Sequence, residues 1–93
     1  MKDRTNQQWL EGFDAYLRRR YPGRTTAKHY VSDVRIFLKG TAVPVLKVTV
    51  DEVDRFFVEQ GAQQRAVTTI NRRVAALKTF FDFVGQELGQ PER

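Results

Sequence analysis

Apolar positions recur at the spacing of one helix face through four stretches of this chain, and no stretch makes a convincing strand. In the first, Trp9, Leu10, Phe13, Tyr16 and Leu17 mark a helix over about 5–21, opened by a capping box of Thr5 with Gln8. Gly12 weakens it slightly. In the second, Ala27, Tyr30, Val31, Val34, Phe37 and Leu38 form the buried side of a helix over about 26–39, capped by Thr25 or Thr26. A short third helix over about 49–60 turns Val50, Val53, Phe56 and Phe57 inward. Thr49 and Glu52 form its capping box, and Gly61 is expected to stop it in the left-handed conformation. The last helix, about 68–85, starts from a Thr68 or Thr69 cap. It carries the seam Ile70, Val74, Leu77, Phe81 and Val84, widened by Ala76, Phe80 and Phe83.

The breaks between these stretches are short. Pro22 and Gly23 end the first helix. The run GTAVPVLKV, 40–48, has the valines of a strand, but Pro44 argues against a central strand and no second run exists to pair with it. It reads as an ordered connection whose Val45, Leu46 and Val48 dock on the core. After Gly85 the tail QELGQPER loses periodicity and is expected to fray. It reads as a cut linker, so the chain is expected to be a piece of something longer. Four helices with short connections make a compact all-α bundle, one domain over 1–93 with about 1–4 and 86–93 flexible.

A hydrophobic share of 41% with 12% aromatics supports a packed core rather than disorder. With no cysteine, disulfides and thiolate metal sites are excluded. No apolar run approaches the roughly 20 residues of a membrane span, and MKDRTNQQW lacks the apolar block of a secretory signal. The chain is therefore expected to be cytoplasmic, with no membrane partner.

Sixteen Lys plus Arg against 11 Asp plus Glu leave +5, and the pI is near 10.0. That balance attracts a polyanion if the positive charge is gathered on one side. On the second helix Lys28, Ser32, Arg35 and Lys39 fall in one outward row beside His29, with three cations and no acid. Asp33 lies off that row and can pair with a neighbouring base or cap group. On the last helix Asn71, Arg72, Ala75, Lys78, Thr79 and Asp82 lie opposite the apolar seam, while Arg73 sits beside it and either faces outward or bridges helices. The carboxylates of Asp51, Glu52 and Asp54 suit a helix N-terminus, and Arg18, Arg19 and Arg20 suit a helix C-terminus.

Catalytic constellations are absent from this pattern. His29 has no cysteine to pair with, and Ser32 three residues away on the same exposed face makes no nucleophile site. The acidic cluster lacks the alternating ligands and glycine of a calcium loop, and the glycines are too scattered for a phosphate loop. No catalytic residue, metal site or cofactor is expected, and this chain by itself is not expected to be an enzyme.

The order of these features resembles the N-terminal core-binding, SAM-like domain of tyrosine recombinases, the phage-integrase class of site-specific DNA recombinases. The resemblance runs from Trp9 to Val84. It rests on WLEGFDAYLRRR, on the spacing of Thr26, Tyr30, Asp33, Val34 and Phe37, on VTVDEVDRFF, and above all on TTINRRVAALKTFFDFV. The chain departs from the family pattern at Lys78, often an arginine there, and at Gln90 before Pro91, where asparagine is frequent. The resemblance implies a SAM-like bundle that covers one face of double-stranded DNA through its second and fourth helices. It also implies that a separate C-terminal domain, absent from this chain, carries the catalytic tyrosine and does strand cleavage and joining in DNA integration or recombination. Tyr16, Tyr21 and Tyr30 are then core or core-edge aromatics rather than nucleophiles.

On that plan Lys28, Arg35, Lys39, Arg72 and Lys78 are expected to contact phosphates, together with the hydroxyls of Thr25, Thr26, Thr68 and Thr69 near two helix N-termini. Base reading would fall to His29, Ser32, Asn71 or Arg72. The two cationic rows are expected to face one groove together. Further partners implied are the chain's own catalytic domain and other recombinase protomers in a synaptic complex. The alternative reading is a helical protein–protein interaction module whose basic surface meets an acidic partner.

Overall fold

The computed structural model describes residues 4–89. Four α-helices follow in order: α1 (Asn6–Arg20), α2 (Thr26–Thr41), α3 (Val50–Ala62) and α4 (Val67–Gly89), with a 3-10 turn at Val45–Lys47. Among the described residues there is no strand. α2 lies at the centre and touches each of the other three helices, while α1 also packs on α4.

Local chemistry sets most of the boundaries. The Thr5 hydroxyl accepts from the Gln8 N–H at 3.1 Å and the Thr5 N–H donates to the Gln8 side chain at 2.8 Å, closing the expected capping box. Tyr21 N–H donates to Leu17 O at 2.8 Å, and Gly23 then turns the chain at φ 73°, which a side chain would resist. α2 runs past its expected end to Thr41, where Ala42 takes the left-handed conformation. The connection that follows is pinned by Asn6, whose side chain donates to Val43 O at 3.0 Å and accepts from Val45 N–H at 2.9 Å. Thr49 and Glu52 close the second capping box.

The core is aromatic. Phe13 meets Phe80 edge to face at 5.1 Å, Tyr16 meets Phe83 at 4.9 Å, and Phe37 meets Phe56 edge to face at 5.2 Å. Tyr16, Tyr21 and Tyr30 are partly buried at its margin, as expected. Gly12 is the close-approach point of α1: a Cβ there would sit 3.3 Å from the Phe83 ring. The propensity cost of that glycine is therefore offset by tight packing of α1 on α4.

Several expectations need correction. Val74, placed in the seam of α4, is 46% exposed; the buried side is centred on Ala76, Leu77, Phe80, Phe83 and Val84. α4 is apolar over so much of its circumference that periodicity left the centre of the buried arc open, and packing against α1 and α2 together selected it. Val50 and Leu46 likewise face solvent. Gly61 lies inside α3, which continues to Ala62, and the left-handed residue is Gln64. The side chain of Gln60 is buried against Arg73, which holds that last turn. α4 begins at Val67, so Thr68 and Thr69 sit in its first turn rather than at its cap. It continues through Gly85 to Gly89, and Glu87 pairs with Arg4 at 3.1 Å where fraying was expected. The remaining tail, 90–93, and residues 1–3 lie outside the described residues.

This packing predicts that Phe80→Ala lowers the unfolding free energy by about 3–5 kcal/mol, whereas Val74→Ala costs less than about 1 kcal/mol. Urea unfolding followed by the fluorescence of Trp9 measures both. Equal losses would contradict the assignment of the buried face.

Candidate nucleic-acid interface

The candidate site is organised by one carboxylate in the seam between α2 and α4. Asp33 is 1% exposed. Arg72 donates to it through two nitrogens, Nε to Oδ2 at 2.8 Å and Nη2 to Oδ1 at 2.9 Å. Arg73 donates from Nε to Oδ1 at 3.2 Å and through Nη1 to the side-chain oxygen of Gln60 on α3. Consecutive residues on a helix are about 100° apart, so the two guanidinium groups reach the carboxylate from different sides. The side chain of Arg73 is 9% exposed and that of Arg72 is 40% exposed. The hydrogen bond to Asp33 raises the pKa of Arg72 above its usual value; desolvation opposes this and the charge of Asp33 adds to it. Asp33 thus does pair with a base, and Arg73 does bridge helices.

This pairing changes the surface of α2. Asp33 is the only acid on that helix, and it is withdrawn from water. Lys28, His29, Ser32, Arg35, Ile36 and Lys39 are exposed. At about 100° per residue, Ser32, Ile36 and His29 form the crest of the outward face, with Lys28, Arg35 and Lys39 on one flank. Asp33, with Arg72 bound to it, lies on the other flank, about 120–160° around the helix. α2 is therefore a ridge with a cationic margin on each side. This differs from the expected pair of adjacent rows, because Arg72 turns toward α2 instead of outward.

The Lys28 flank adjoins the end of α1. Arg18, Arg24, Thr25 and Lys28 line a surface cleft of about 440 Å³ there, together with Tyr21, Pro22, Gly23 and Ala27. Arg18 also pairs with Asp14 at 2.9 Å, and Arg20 lies over the Tyr16 ring at 5.4 Å. From Ala15 to Val50 the cations are Arg18, Arg19, Arg20, Arg24, Lys28, Arg35, Lys39 and Lys47, against the single buried Asp33. Asp51, Asp54 and Glu59 are exposed on α3 instead. The stretch from Ala15 to Val50 is thus strongly cationic, whereas α3 mixes its acids with the exposed Arg55.

The other expected site residues divide between two places. Thr25 is exposed at the N-cap of α2 with its hydroxyl outside any capping bond, and Thr26 is half-buried in the first turn. Thr68 lies about 40° from Arg72 on α4, whereas Asn71 and Lys78 lie about 100–120° from it and share the outward face of that helix. Thr69 is half-buried. Gln60 was not expected in the buried cluster, nor Arg18 and Arg24 in a cleft with Lys28. The sequence signal for the buried cluster was an acid at the edge of the apolar arc of one helix and a base within that of another.

Residues 10–87 match the phage integrase N-terminal SAM-like domain. The chain belongs to that family. Neither a curated protein nor a solved structure gave a significant match. The matched region of this integrase-family chain is the N-terminal domain, not the catalytic one. Among the described residues no helix is long and apolar enough to cross a membrane.

Asp33→Ala leaves Arg73 buried without its carboxylate and is expected to cost about 3–5 kcal/mol. Arg72→Ala, at a pair half open to water, is expected to cost about 1 kcal/mol. Denaturant titration of the two variants checks the ranking. An Asp33 variant as stable as the parent would contradict it.

Proposed function

We propose that this integrase-family domain binds duplex DNA as the core-binding domain of a site-specific tyrosine recombinase. It holds one face of a DNA half-site while a separate C-terminal domain cleaves and joins strands. The observation that carries this reading is that α2 exposes cations and no acid, its single carboxylate being engaged inside the fold. Mixed-sign surfaces are the norm for solvated helices, since opposite charges one turn apart support each other. A helix stripped of exposed acids suits a polyphosphate.

In this reading α2 is the ridge that enters the groove. Lys28, Arg35 and Lys39 neutralise phosphates along one margin, and Arg72 with Thr68 meets the other margin. Thr25 and Thr26 offer hydroxyls and backbone N–H groups at the start of α2, where the helix dipole favours an anion, and Thr69 does so less openly on α4. His29 and Ser32 on the crest face base edges. Asn71 and Lys78 extend the contact along the outward side of α4.

One specific observation favours a second role in protein contact. Val67, Val74, Phe81 and Leu88 repeat every seven residues along α4, and Val67, Val74 and Leu88 are exposed. Such a stripe suits another helix, whether of the catalytic domain, of a neighbouring recombinase protomer or of an unrelated acidic partner.

Neutralising about four phosphates makes affinity for duplex DNA fall by about two orders of magnitude between 50 and 200 mM salt. Replacing Lys28, Arg35 and Lys39 together by alanine should weaken binding sharply and flatten that salt dependence by about three phosphates' worth. Fluorescence anisotropy with a labelled duplex measures both. Binding unchanged by the triple substitution, or absent at low salt, would contradict the reading.

A further inference from the structure

We infer that Asp33 is a positioning residue for Arg72, fixing its guanidinium so that the free donor edge forms a ready fork for two acceptor atoms of duplex DNA. This rests on the DNA-binding reading above. A guanidinium carries five N–H donors in one plane. Asp33 takes the Nε and Nη2 side of Arg72. Among the described residues, the edge formed by Nη1 and the second proton of Nη2 meets no protein acceptor. That edge is itself a planar pair of donors, the geometry that matches a phosphate or the O6 and N7 of guanine.

The fork is reachable, since the Arg72 side chain is 40% exposed. It is also held in place. Arg73 binds the same carboxylate from within the core, and Gln60 fixes Arg73, so Asp33 cannot follow Arg72 outward. Two guanidinium charges against one carboxylate leave the cluster net positive, which keeps it attractive to an anion. An unrestrained surface arginine loses rotamer freedom when it binds; Arg72 has already lost it on folding. Arg72 therefore meets the duplex without leaving Asp33.

The test uses the intact chain labelled with 15N and a short mixed-sequence duplex, observing arginine side-chain resonances. The Arg72 Nη resonances should shift on binding while its Nε–H remains protected by Asp33. Arg72→Lys, which keeps the charge and loses the fork, should weaken duplex binding about tenfold or more. Asp33→Asn should weaken it comparably, and the double variant should show little further loss, because the two residues act as one unit. A duplex carrying 7-deazaguanine separates the two acceptor sources: loss of the Nη shift identifies guanine N7, and its retention identifies phosphate. The inference is overturned if Arg72→Lys binds as tightly as the parent, or if saturation with duplex releases Nε–H from protection. Should the parent chain fail to bind any duplex, the DNA-binding proposal falls first. Should the parent bind and Arg72→Lys bind equally, only the fork is refuted.

Discussion

A buried carboxylate between two arginines fixes how the helices of this domain meet. Asp33 belongs to α2, Arg72 and Arg73 to α4, and Gln60 to α3, so four side chains join three helices. Ion clusters of this kind are costly to desolvate and are retained only where each donor and acceptor is matched. Their geometry is exacting in a way that aromatic packing is not. The Phe13–Phe80 and Phe37–Phe56 contacts supply apolar burial, but those rings tolerate small slides. The Asp33 cluster adds a directional constraint to the rotation of α4 against α2 that packing on α1 and α2 selects.

The same cluster shapes the electrostatics. By removing the one acid of α2 from the surface it leaves that helix with cations and no acid on its outer face, along a crest of Ser32, Ile36 and His29. Duplex DNA is the occupant proposed for such a face. Fold and proposed function therefore draw on one set of residues: Arg73 serves the interior, Arg72 the boundary, and Lys28, Arg35 and Lys39 the solvent side.

Much of this fold was legible along the chain. Both capping boxes, the apolar arcs of α1 and α2, and the break at Pro22 and Gly23 depend on neighbours within a few residues, and each is where local chemistry puts it. The misplaced features are those decided by distant contacts. Gly61 read as a stop and the tail after Gly85 as frayed, yet glycine only permits a break, and α3 and α4 run on to Ala62 and Gly89 with Gln60 bound to Arg73 and Glu87 paired with Arg4. Val74 read as core because the apolar arc of α4 is wide enough that periodicity does not declare its centre. Arg72 read as an outward cation because its partner lies 39 positions away. For the candidate site the cationic face of α2 was legible, but not that Lys28 and Arg72 occupy opposite margins of one ridge.

Backbone amide mapping by NMR during titration with a short duplex tests the account most directly. Shifts are expected to concentrate on the exposed residues of α2 from Lys28 to Lys39 and to extend to Thr68 and Arg72, with α3 silent. Shifts confined to α3, or to the Val67, Val74 and Leu88 stripe with α2 unaffected, would contradict it.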